Sequence, residues 1–100
     1  MGKYNVKLLP KAYRDIDQIY GYISKELKVP ETAKKIVESF EEKILSLEDF
    51  PHRGAERKVG AYANKGYRQL FVKNFTIIYR INDKSKHVIV VTVKYSPSAF

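Results

Sequence analysis

Apolar residues recur along this chain with two different periods, and the change from one to the other divides it. From Pro10 to Leu27, Ala12, Ile16, Ile19, Tyr20, Ile23 and Leu27 fall at helical spacing, with Arg14, Asp15, Asp17, Gln18 and Lys25 mostly on the other side. A second stripe, Ala33, Ile36, Val37, Phe40, Ile44 and Leu47, follows Val29-Pro30-Glu31-Thr32, where Pro30 suits a first helical position and Glu31 suits the positive end of the dipole. Two helices joined by so short a link pack as an antiparallel hairpin. Before them, Tyr4 to Leu9 alternates weakly and is cut off by Pro10, which reads as a short strand. The Tyr residues of the first helix, Tyr13, Tyr20 and Tyr22, read as amphipathic packing residues.

Beyond Phe50-Pro51 the helical period stops. Residues 51 to 65 have no period and form a basic, glycine-punctuated loop, of a length that is uncommon in compact domains and often functional. Gly66 to Ile81 then reads as a β-hairpin: two apolar, β-branched and aromatic runs flank Lys73-Asn74, and Asn tolerates the left-handed backbone of a tight turn. A second turn at Asn82 to Ser85 leads into His87 to Tyr95, whose near-continuous β-branched residues predict a central strand buried on both faces. The order β-α-α-β-β-β predicts an α+β domain over 1–100: a small, mainly antiparallel four-stranded sheet with the helical hairpin on one face and the other face comparatively open.

Charge sharpens this picture. The net charge is +8, yet residues 1–50 hold nine Lys and Arg against nine acids and are neutral. The second half holds ten basic residues against only Glu56 and Asp83, so the whole excess lies there. Such asymmetry suits a polyanion or an acidic protein; its bland alternative is a solvated surface kept for solubility. Arg57, Lys58, Arg68, Lys73, Arg80 and Lys94 are the candidate contacts to a target or nucleic acid. Sequence parity across the turn leaves open whether Arg68 and Arg80 share a face.

Other chemistry is thin. The chain has no Cys, hence no disulfide framework and no thiolate ligand or nucleophile, and it shows no metal-ligand spacing and no phosphate-binding glycine loop. No metal or cofactor is expected. His52 and His87 are each isolated, and a lone imidazole in a loop or at a strand start is more often a bystander than a catalyst. Asp15 and Asp17 face different directions on a helix and read as capping or solvated residues, not as a dyad. No apolar run reaches membrane-span length, so the expectation is a cytoplasmic protein with no membrane partner.

Three segments together carry a resemblance: Leu9 to Ile23 in the first helix, Ile44 to Gly54 at the end of the second, and Gly66-Tyr67-Arg68-Gln69-Leu70 with Tyr79-Arg80-Ile81 in the hairpin. They resemble the RelE/ParE superfamily of toxins from bacterial type II toxin–antitoxin systems, over nearly the whole chain. The resemblance implies a growth inhibitor neutralised by a cognate antitoxin, with one of two targets. ParE-like members inhibit DNA gyrase, and the segment Asp15 to Tyr20 with its long paired helices looks more like that branch. RelE-like members cut messenger RNA on the ribosome without a metal, and there Arg68, Lys94 and Tyr95 would be the catalytic candidates. Leu70 and Thr76 stand where those ribonucleases commonly carry Lys and Arg. A third reading is a degenerate toxin that only binds its antitoxin. The antitoxin itself is expected to present an acidic amphipathic segment that folds as it binds, at a sheet edge or a groove beside the helical hairpin.

Overall fold

In the computed structural model, which describes residues 3–58, 60, 62–63 and 65–96, the chain folds as α+β. Strand β1 (Asn5–Leu8) leads into helix α1 (Pro10–Gly21), which passes into a π-helical turn over Tyr22–Glu26. Helix α2 (Pro30–Ser46) returns, and β2 (Ala55–Glu56), β3 (Arg68–Val72), β4 (Phe75–Asn82) and β5 (His87–Tyr95) complete the sheet. Both α-helices begin on a proline preceded by a residue whose side chain makes no capping bond. Proline's fixed φ and missing N–H suit that position without help from a cap. Glu31 in the first turn of α2 and Lys43 in its last both complement the helix dipole.

The sheet has five strands in the order β1-β5-β4-β3-β2, one more than the sequence predicts. The extra strand, β2, lies inside the supposedly aperiodic loop and is only two residues long: Ala55 pairs with Gln69 and Glu56 with Arg68. So short a strand leaves no periodic signal. β2–β3, β3–β4 and β4–β5 are antiparallel, while β1 joins β5 in parallel. β5 is interior as expected, although the middle strand is β4.

The hairpin turn falls at Lys73-Asn74, but the left-handed residue is Lys73, at φ 52°, and not Asn74. The first helix also departs from its predicted course. The Leu27 N–H reaches back five residues to the Tyr22 carbonyl at 3.1 Å, and Lys28 then turns left-handed at φ 57°. One extra residue in a turn shifts the helical phase by about 100°. Leu27, on the predicted stripe, is therefore 53% exposed, while Ile23 stays buried.

One core joins the two helices to one face of the sheet. Ala12, Ile23, Ala33, Ile36, Phe40 and Ile44 meet Leu70, Val72, Ile77, Tyr79, Val88 and Val90, and the Phe40 ring meets that of Phe75 edge-on at 5.5 Å. Alternation along β4 turns Thr76, Ile78 and Arg80 to the other face. That face is less open than predicted: Thr76 and Ile78 are fully buried, although Arg80 and Phe71 are exposed. Opposite Ile78 and Tyr79 the register of β5 slips by one residue at Val91, a bulge that bends the strand beneath α1. Among the described residues, no helix is long and apolar enough to cross a membrane.

Candidate functional site

A cleft of about 750 Å³ lies between α1 with its π-helical turn and the far end of β5. Ile19, Ile23, Phe75 and Val93 form its apolar floor, and Lys11, Gln18, Tyr22, Asn74, Lys94 and Tyr95 its polar and aromatic surround. Tyr95 is 61% exposed and leans on Phe75, ring centres 5.6 Å apart.

A single carboxylate fixes one wall of this cleft. β1 ends its pairing with β5 at Val90, so beyond that point β5 lacks a strand neighbour on one side. Asp15, projecting from α1, takes that place. Its Oδ2 accepts the Val93 backbone N–H at 3.2 Å and the Thr92 hydroxyl, and both its oxygens accept from Lys11 Nζ at 3.0 and 3.1 Å. Lys11 Nζ also donates to Thr92 Oγ1 at 3.0 Å. Partial burial alone would raise the Asp15 carboxyl, but the donations from Thr92, Lys11 and the Val93 N–H outweigh it and hold the group below the usual carboxylate range. Asp15 is thus a strut of the scaffold and not the solvated residue its sequence context suggests. The spacing of Lys11 and Asp15, four apart on a helix, was the available clue.

A second set of bonds locks the chain between α2 and β2. The Tyr79 side chain is fully buried; its hydroxyl donates to the Pro51 carbonyl at 2.8 Å and accepts the Gly54 N–H at 3.0 Å. Burial pushes the Tyr79 phenol up, with only partial relief from the Gly54 N–H and Arg68. Arg68 Nε donates to the Gly54 carbonyl at 2.9 Å and its Nη2 to the His52 carbonyl at 3.2 Å. Arg57 is only 9% exposed, and its Nη1 donates to Gln69 Oε1 at 2.6 Å. Two of the six candidate contacts therefore hold the protein's own loop.

The other candidates divide between the ends of the sheet. Lys73, Lys94 and Tyr95 share one end, because Val72 pairs with Phe75 and Phe75 with Tyr95. Arg57, Arg68 and Arg80 lie towards the other end, about 17 Å away by the rise of a five-residue strand step. Arg68 pairs with Tyr79, which places Arg68 and Arg80 on opposite faces. Lys94 pairs with Thr76, so it too faces away from Arg68. Lys58 is exposed just beyond β2. The three ribonuclease candidates, Arg68, Lys94 and Tyr95, are therefore not brought to one point.

The two histidines also lie apart. His52 Nε2 stands 3.4 Å from Asp83 Oδ1, a carboxylate that accepts the Tyr4 hydroxyl at 2.7 Å. His87 Nδ1 contacts Ser85 Oγ at 2.8 Å. Among the described residues no three His, Asp or Glu side chains gather as a metal cage would require.

A five-stranded mixed sheet carrying a helical hairpin is an α+β fold like that of the RelE/ParE toxins. Residues 6–97 match the model of the ParE toxin of the type II toxin–antitoxin system parDE, and the chain belongs to that family. It is accordingly a toxin of a type II toxin–antitoxin system, and a cognate antitoxin is its partner. Among solved structures it is similar to the chromosomal ParDE system from P. aeruginosa, at 24% identity over 96% of this chain and 99% of that one, TM-score 0.77. It is also similar to the toxin–antitoxin complex RelBE2 from Mycobacterium tuberculosis, at 20% identity over 98% and 97% of the two chains, TM-score 0.65. A free-state mutant of E. coli RelE shares the fold at 12% identity over 97% and 86%, TM-score 0.64. No curated protein sequence matches the chain.

Proposed function

We propose that this toxin arrests growth by docking on DNA gyrase and not by cutting RNA. Cleavage through a 2′-hydroxyl needs a base, cations at the phosphorane and an acid for the leaving oxygen, all within reach of one phosphate. The observation that carries the reading is the state of two strand positions. Leu70 is buried, and Thr76 is fully buried with its hydroxyl unpartnered among the described residues. Neither offers a charge to a substrate; Arg68 is committed to the loop it braces, and Lys94 stands at the other end of the sheet on the opposite face.

The antitoxin is assigned to the cleft beside α1. Its apolar floor suits the buried face of an amphipathic segment, and the exposed Lys94 on its rim suits an acidic residue flanking that face. Ordering of such a segment on binding covers Tyr95 and the β3–β4 turn as well.

Induction of the wild-type chain in a bacterial host, with message integrity and plasmid supercoiling read in parallel, tests the target. The expected result is growth arrest with altered supercoiling and intact messages. Prompt, translation-linked mRNA cleavage would overturn the gyrase reading, and unaffected growth would overturn toxicity itself.

A further inference from the structure

The end of the sheet furthest from the cleft carries a charge cluster that the toxin reading does not use. Lys7 on β1 and Arg80 on β4 both pair with Ile89 of β5, so their side chains leave the same face on either side of one residue. Two strand spacings separate them, about 10 Å. Lys84 and Lys86 stand in the adjoining β4–β5 turn, and all four side chains are exposed.

That turn is tied down. Asn82 Oδ1 accepts the N–H groups of Lys84 and Ser85 at 3.1 and 3.2 Å, and the Lys86 carbonyl accepts the Asn5 N–H at 2.9 Å, joining the turn to β1. Among the described residues none of the four cations forms an ion pair. The nearby acids are engaged elsewhere. Asp83 is drawn to Tyr4 and His52 on the helical side, and Glu48 pairs with Lys3 at 3.9 Å.

We propose that Lys7, Arg80, Lys84 and Lys86 form a docking surface for the phosphate backbone of duplex DNA. Four unpaired cations on a pre-set surface match a regular polyanion, whose condensed counterions are released when they bind. Phe71, the exposed aromatic of that face, lies about 13 Å along the sheet from Arg80 towards the cleft end, so among the described residues the cluster lacks the adjacent ring on which a base of a single strand would stack. The contacts offered are cationic side chains, so they go to the backbone and are independent of sequence. The proposal goes beyond the gyrase reading and stands or falls separately from it. The toxin holds DNA by one end of its sheet and keeps the cleft at the other end for protein.

Fluorescence anisotropy of the full chain with a labelled 20-base-pair duplex of arbitrary sequence tests it. Binding at 50 mM salt is expected, weakening about 40- to 150-fold at 200 mM as three or four phosphate contacts require. The pairs K7E/R80E and K84E/K86E should each reduce affinity more than about tenfold and flatten the salt slope by about 2. The charge-matched pair K34E/K35E on α2 should change it far less. K84Q/K86Q, confined to an exposed turn, repeats the test without charge reversal, and circular dichroism verifies folding throughout. Absence of binding at 50 mM salt, equal loss in the α2 pair, or tighter binding of single-stranded DNA or of an RNA duplex would overturn the proposal. So would loss of antitoxin binding, and not of DNA binding, in the patch variants.

Discussion

At the scale of single residues, Asp15 and Gly54 matter more than any of the cations that dominate the sequence. Asp15 gathers three donors in a partly buried site, and charge-assisted hydrogen bonds of this kind contribute about 1.5–3 kcal/mol. Asp15→Asn should lower stability by about that amount in urea unfolding at pH 7. Because the folded carboxyl sits below the ordinary value, its contribution is complete above the unfolded Asp value of about 3.9 and is lost as pH falls through the lower folded value. The gap between variant and wild type should therefore narrow progressively in melts taken at pH values falling below the unfolded Asp value. At Gly54, a Cβ would stand 2.5 Å from Tyr79 Oη and 2.6 Å from the Gln69 carbonyl oxygen. One of these is main chain and the other a fully buried ring, so neither yields easily. Gly54→Ala should cost about 1–3 kcal/mol, seen as a fall in Tm of roughly 4–8 °C per kcal/mol for a domain of this size. Neither residue announces itself by type. An aspartate two places from another aspartate reads as solvated, and a glycine in a loop reads as flexible.

At the scale of elements, periodicity made both helices and the three long strands legible, because each buries a continuous stripe or face. It failed where tertiary contacts, and not pattern, decide. The two-residue β2 exists because Arg68 and Tyr79 hold the preceding loop against β3. The π-helical turn exists because the chain must leave α1 and still seat Ile23, and that leaves Leu27 outside. At the hairpin the turn falls where the sequence predicts it, but Lys73 and not Asn74 takes the left-handed conformation. A side chain with a Cβ is disfavoured there by about 1–2 kcal/mol, whereas glycine is not. Lys73→Gly should raise stability by up to about 1 kcal/mol, measured as an upward shift in Tm. The candidate site was legible only as a list of cations: its residues were named, but the division of Arg68 from Lys94 and Tyr95 depends on strand register, which a sequence does not display across a turn.

At the scale of the whole molecule, the excess positive charge of the second half does not form one patch. Some of it is internal mortar, at Arg57 and Arg68, some stays in the loop around β2, at Arg53 and Lys58, and some stands at the cleft end and at the β4–β5 turn. Antitoxin binding at the cleft should weaken as ionic strength rises, because Lys94 is exposed and its attraction for an acidic partner is screened. Titration calorimetry of toxin with antitoxin at 50 and 500 mM salt checks this, and a constant affinity would exclude an electrostatic contribution at that site. The parallel pairing of β1 with β5 has a different kind of consequence. The first strand to emerge during synthesis has its only neighbour in the last, so the sheet stays unfinished until His87 to Tyr95 has left the ribosome. The chain therefore carries its helical hairpin and an unclosed sheet through most of its synthesis, and the last strand made is the one that secures the first.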